Sequence, residues 1–169
     1  NGTPLRNYDN SHRGFTSIRE AIRDSINIVT VKTLTEIGTT LGYSYLENFG
    51  FSTIVPDDNN QALALGGITK GVTNLDLTAA YATFANEGIY NSPLFVTHIE
   101  DRQGNLISTF SSSSQDAISK ESAYTMLTML QNVITSGTGR RMIWAYDMQG
   151  VDIAGKTGTT NENRDAWFM

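Results

Sequence analysis

Val151-Asp152-Ile153-Ala154-Gly155-Lys156-Thr157-Gly158-Thr159-Thr160 is the stretch on which the reading of this chain turns. Three apolar residues lead through Gly155 into a lysine flanked by threonines and a second glycine. The pattern predicts a strand over 151–157, a turn at Asn161–Asn163 and a returning strand over 164–169 that carries Trp167 and Phe168. A lysine leaving a strand beside hydroxyls and backbone N–H groups can hold a carboxylate and polarise a carbonyl. Gly158 suits such a place, because a ligand approaches backbone most closely where no side chain intervenes. A Lys-Thr-Gly tripeptide arises by chance in about one chain of this length in twenty-five, so it needs company.

Outward from that stretch the chain turns helical. Ala123, Met126, Leu127, Leu130, Val133 and Ile134 form one continuous apolar face over 120–136, and Gly137 stops it ahead of Thr138 and Gly139. Further back, 94–110 predicts a β-hairpin turning at Asp101–Asn105, with Ser111–Ser114 as a flexible connector. Thr73 opens a helix whose stripe is Leu77, Ala80, Tyr81 and Phe84, with Asp76 placed to return a bond to the cap and Gly88 closing it. The stretch from Phe51 to Gln61, with its Pro56–Asn60 run, reads as an exposed loop. Before it come helices over 40–49, over a segment holding Ile28, Val31 and Leu34, and from a capping box of Ser17 with Glu20. The fold class is α+β, a helix-rich lobe plus part of an antiparallel sheet.

Ser25-Ile26-Asn27 interrupts the first two helices. Ser25 can offer a hydroxyl for proton transfer and Asn27 an amide for substrate, although both residue types are also ordinary caps. The remaining chemistry is narrowed by composition. With 12 basic and 17 acidic side chains the chain has a formal charge of −5, which argues against a phosphate-tracking surface and nucleic-acid partners. It has no Cys and only His12 and His98, so no metal or nucleotide cofactor is indicated. No apolar run approaches the ~20 residues of a membrane span.

Ser-x-Asn followed by Lys-Thr-Gly is the pairing found in penicillin-binding proteins and serine β-lactamases, whose third motif is Ser-x-x-Lys. Asn7-Tyr8-Asp9, Ser17–Ala21, Leu63–Gly67, Gly71–Asp76, Ala80–Gly88, Gly137-Thr138-Gly139, Ala154–Thr160 and Asp165–Phe168 also resemble, in order, the transpeptidase domain of class A penicillin-binding proteins. The resemblance implies a site between a helical lobe and an antiparallel sheet. Ser25 and Lys156 would relay a proton to the leaving amine. Asn27 would hold the donor amide, while Thr157 and Thr159, around Gly158, would bind the terminal carboxylate. The Thr159 N–H would supply half of an oxyanion hole.

The implied activity is serine-type D-Ala-D-Ala transpeptidation. Peptidoglycan stem peptides would be the donor, a neighbouring amine the acceptor, and β-lactam antibiotics the inhibitors. The resemblance places the parent on the outer face of the bacterial cytoplasmic membrane, anchored by another segment and usually preceded by a glycosyltransferase domain. No Ser-x-x-Lys occurs: Val29, Gly67, Ala117 and Ile153 stand three residues before Lys32, Lys70, Lys120 and Lys156. Residues 1–169 are therefore expected to be a partial, truncated transpeptidase domain, with Ser-x-x-Lys before residue 1 and a last sheet strand after residue 169. Alone, such a chain should be inactive, and poorly folded, oligomeric or completed by another chain. The alternatives are a non-catalytic β-lactam or muropeptide-binding module, or a serine β-lactamase. Against the latter, Ile26 stands where class A lactamases have Asp.

Overall fold

The computed structural model describes residues 4–148, 150–160 and 166–169. Three helices open it, α1 Ile18–Asp24, α2 Asn27–Ile37 and α3 Thr39–Asn48. Two short 3-10 helices, Pro56–Asp58 and Gln61–Leu65, lead to α4 Asn74–Ala85. Strands β1 Ile89–Asn91, β2 His98–Glu100, β3 Leu106–Thr109 and β4 Ser114–Asp116 follow, then α5 Lys120–Thr135, α6 Arg141–Ala145, β5 Thr157–Thr159 and β6 Ala166–Phe168. This is the α+β architecture expected, with the described strands in three antiparallel two-stranded sheets, β1–β4, β2–β3 and β5–β6.

The core forms where α1 and α4 pack against α5. Ala123, Leu130, Val133 and Ile134, spaced along one face of α5, are buried, as are Ala21 of α1 and Ala80 of α4. Burying Val133 and Ile134 stabilises by about 1.5–3 kcal/mol each. Arg19 staples α1 to α5 through Asn132 Oδ1 at 2.9 Å, Thr128 Oγ1 at 3.1 Å and the Thr128 carbonyl at 3.2 Å.

Local sequence explains where α1, α4 and α5 begin. Ser17 and Glu20 exchange bonds as a capping box at the start of α1, and Ser119 caps α5. Thr73 caps α4, accepting from the Asp76 N–H at 3.0 Å. The Asp76 carboxylate, expected to return to the cap, instead accepts from Ser52 Oγ at 2.7 Å and Ser52 N at 3.2 Å, tying the preceding loop to α4.

Three further expectations are corrected. Ser114 is a strand residue: β4 pairs with β1 in the register Ile89↔Asp116, Tyr90↔Gln115 and Asn91↔Ser114. Asp58 is no part of an exposed loop. It is 1 % exposed and accepts from Thr69 Oγ1 at 2.6 Å, Thr69 N at 2.7 Å and Val55 N at 2.9 Å. These bonds, the Thr69 hydroxyl foremost, hold its carboxyl below the usual carboxylate range. Gly88, by contrast, does close α4: at φ 90° it donates its N–H to the Thr83 carbonyl at 2.9 Å, just past the last helical residue Ala85. Finally, Val151–Lys156 is irregular and β5 begins at Thr157. The expected turn at 161–163 lies outside the described residues.

Candidate active site

Ser25 ends α1 in the left-handed region, at φ 59° and ψ 50°, an arrangement closed by the Ile26 N–H donating to the Ala21 carbonyl at 2.9 Å. A non-glycine residue there is uncommon and carries strain. Ile26 is buried at 4 % exposure and anchors the break. Ser25 is left exposed and Asn27 half-buried as the first residue of α2. The lead-in segment fixes this corner. Asn7, 5 % exposed, accepts from the Ile28 N–H at 3.1 Å and donates to the Ser11 carbonyl at 2.8 Å. Asn27 Nδ2 donates to the Arg6 carbonyl at 3.1 Å. Asp24, beside Ser25, accepts from Arg13 at 2.6 Å and from Arg23 Nε at 2.9 Å. Those bonds, Arg23 foremost, lower its carboxyl.

Lys156 reaches this corner from the opposite end of the sequence. Its backbone exchanges two hydrogen bonds with Met169, 2.7 Å from Lys156 N and 3.1 Å from Met169 N, and the preceding Gly155 N–H donates to the Leu130 carbonyl of α5 at 3.4 Å. The same helix that packs against α1 therefore also carries the approach to β5. The result is a direct contact: Lys156 Nζ donates to Ser25 Oγ at 2.9 Å and to the Thr157 carbonyl at 2.8 Å. Burial pushes the Lys156 ammonium below the ordinary lysine value.

The ladder also determines which backbone groups are free of it. Bonded and non-bonded pairs alternate along an antiparallel ribbon. Since Lys156 and Met169 exchange both bonds, Thr157↔Phe168 and Thr159↔Ala166 are the non-bonded pairs. The N–H and C=O groups of Thr157 and Thr159 thus point away from β6, to the edge where the Thr157 carbonyl meets Lys156 Nζ. The two threonine side chains share a face, two residues apart. A Cβ built on Gly158 meets nothing within 4 Å.

All six residues singled out in the sequence are therefore placed, and the structure joins Ser25, Lys156 and Thr157 directly. The others fall around them: Asn27 is two residues on from Ser25, and Gly158 and Thr159 continue β5. Sequence reasoning gave no site role to Thr138 or Asn7. Thr138 Oγ1 lies 2.7 Å from Thr157 Oγ1, and its N–H donates to the Arg23 carbonyl at 3.2 Å. The signal was the Gly137-Thr138-Gly139 triplet straight after the strongest helix. Trp167 is half-buried on β6, and His98 is exposed beside Glu100. Among the described residues no helix is long and apolar enough to cross a membrane, and no acidic or histidine cluster could hold a metal.

A helical corner and a strand edge thus meet over Ser25 and Lys156. The family model for the penicillin-binding protein transpeptidase domain matches residues 1–167. Penicillin-binding protein 1F of Bacillus subtilis is 38% identical over 169 residues, a match covering 96% of this chain and 22% of that protein. The crystal structure of penicillin-binding protein 1A from Haemophilus influenzae superposes with a TM-score of 0.83 at 22% identity, over 97% of this chain and 29% of that one. Penicillin-binding protein A from M. tuberculosis, solved as a ceftriaxone acyl-enzyme complex, superposes with a TM-score of 0.76 at 25% identity, over 97% of this chain and 42% of that one. This chain belongs to the penicillin-binding protein transpeptidase family, and its relatives include class A members, as the motifs implied. It spans about a fifth of the length of such relatives, 22% in one and 20% in another.

Proposed function

We propose that these residues form the Ser-x-Asn and Lys-Thr-Gly part of a serine transpeptidase that cross-links peptidoglycan stem peptides and is acylated by β-lactams. The observation that carries this reading is the 2.9 Å bond from Lys156 Nζ to Ser25 Oγ, made by a lysine whose burial lowers its proton affinity. The nucleophile is a serine of a Ser-x-x-Lys segment outside residues 1–169. Exposed apolar side chains such as Phe95, Leu106 and Ile107 support the reading that a larger domain completes this part.

The chemistry follows from the donors in place. The nucleophilic serine forms a C–O bond with the D-Ala-D-Ala carbonyl and gives up its proton to the lysine of its own motif. Lys156 donates to Ser25, so the single hydroxyl proton of Ser25 is directed elsewhere, toward the leaving nitrogen. As the C–N bond breaks, Ser25 gives that proton to the departing D-Ala and regains one from Lys156. The acyl group then passes to an amine of a neighbouring strand. Such acid–base relays contribute ~10²–10⁴-fold.

The edge-facing N–H of Thr159 supports an oxyanion-donor role, worth ~10²–10³-fold for one donor. The Thr157 and Thr159 hydroxyls bind the substrate carboxylate, Asn27 the donor amide, and the open space at Gly158 admits the peptide beside the strand. The parent works on the outer face of the bacterial membrane, where its substrate lies.

Labelling with a fluorescent penicillin tests the reading. The parent protein should label covalently and the 169-residue chain should not. A labelled 169-residue chain contradicts an external nucleophile, and an unlabelled parent contradicts the transpeptidase.

A further inference from the structure

We infer that Thr138 is a positioning residue for substrate-carboxylate recognition, acting through Thr157; the inference rests on the transpeptidase reading above. Three observations lead there. Thr138 Oγ1 lies 2.7 Å from Thr157 Oγ1, joining the loop after α5 to the strand that carries Lys156. Its N–H donates to the Arg23 carbonyl at 3.2 Å, two residues before Ser25. Neighbours on both sides hold it in register. Gly137 N and Gly139 N donate to the Val133 carbonyl at 3.1 Å and 3.0 Å. A Cβ at Gly137 would collide with the Arg23 carbonyl, and one at Gly139 would come within 2.8 Å of Ile134 Cδ1. Thr138 is thus the exposed member of a triplet whose glycines are there for close packing, and its hydroxyl is aimed at the third motif.

Proton inventory gives the contact its function. A hydroxyl carries one proton and two lone pairs. For Thr157 to donate to a carboxylate, its contact with Thr138 must be one in which Thr157 accepts, so Thr138 is the donor. The two hydroxyls then point in series toward the anion and polarise each other in the same sense. Without Thr138, the Thr157 proton loses its preset direction, and recognition weakens only for ligands that carry the carboxylate.

The test uses the parent protein, a fluorescent penicillin and the methyl ester of the same penicillin, with acylation followed by fluorescence or intact-protein mass. Labelling of the unaltered parent comes first, since its absence would sink the transpeptidase reading and this inference with it. Given labelling, Thr138→Val should slow acylation by the free acid about fivefold to tenfold, the scale of one such hydrogen bond. It should leave the rate with the ester unchanged, and Thr138→Ser should restore the free-acid rate. In a Thr157→Val background, Thr138→Val should add no further loss. An equal fall for acid and ester, or no fall at all, overturns the inference. Should Thr138→Val fail to fold, the same comparison with Thr138→Ala decides it.

Discussion

Lys156 Nζ donates to Ser25 Oγ across 131 positions of sequence, at 2.9 Å. The helical corner and the strand edge are each fixed by backbone bonds, so the contact is preset by the fold. Its cost is visible in Lys156, whose ammonium burial disfavours. Between the depressed value and the ordinary lysine value the folded protein holds fewer protons than the unfolded chain. Stability attributable to this group therefore rises with pH across that alkaline window. Denaturant melts of the parent from neutral pH to about 11 should show Lys156→Met more stable relative to wild type at the lower end, with the difference closing as pH rises. A pH-independent difference would refute the assigned cause.

Ser25 trades stability for placement. Its positive φ of 59° is a conformation that glycine adopts without steric penalty. Ser25→Gly should raise stability by about 0.5–1 kcal/mol in denaturant melts while acylation falls by about 10²-fold or more. A variant that is less stable, or that retains full activity, would contradict the placement argument.

Gly137 and Gly158 should separate packing from ligand access. A methyl at Gly137 meets the Arg23 and Val133 backbones, fixed atoms with nowhere to go, so Gly137→Ala should cost about 1–3 kcal/mol. A methyl at Gly158 meets nothing of the protein, so Gly158→Ala should change stability by less than about 0.5 kcal/mol. The same methyl should obstruct a peptide lying along the strand, raising KM for the donor peptide. Melting curves and steady-state kinetics on both variants check the contrast, and an unchanged KM in Gly158→Ala would count against the strand as the substrate's bed.

What the sequence disclosed follows from how local the signals were. The helices were legible because the apolar face of α5 and the caps at Ser17 and Thr73 act within one or two turns. The β1–β4 pair was not, because three-residue strands carry no usable alternation and the Ser-Gln-Asp of β4 is chosen by its partner. Asp58 read as loop because its three bonds come from Val55 and the distant Thr69. Asp76 fitted a capping pattern, yet Ser52, 24 residues away, competed successfully for its carboxylate. At the site, Ser25 and Lys156 were found through their motifs. The role of Thr138 depends on a side chain 19 positions away, which no local pattern reveals.

The pairing of Ser25 with Lys156 is tested most directly by a double-mutant cycle on acylation in the parent. Ser25→Ala and Lys156→Met should each slow fluorescent-penicillin acylation by about 10²–10⁴-fold. The double variant should lose little more than the worse single one, because both changes break one relay. Losses that multiply in the double variant would mean the two groups act independently, and would contradict the account.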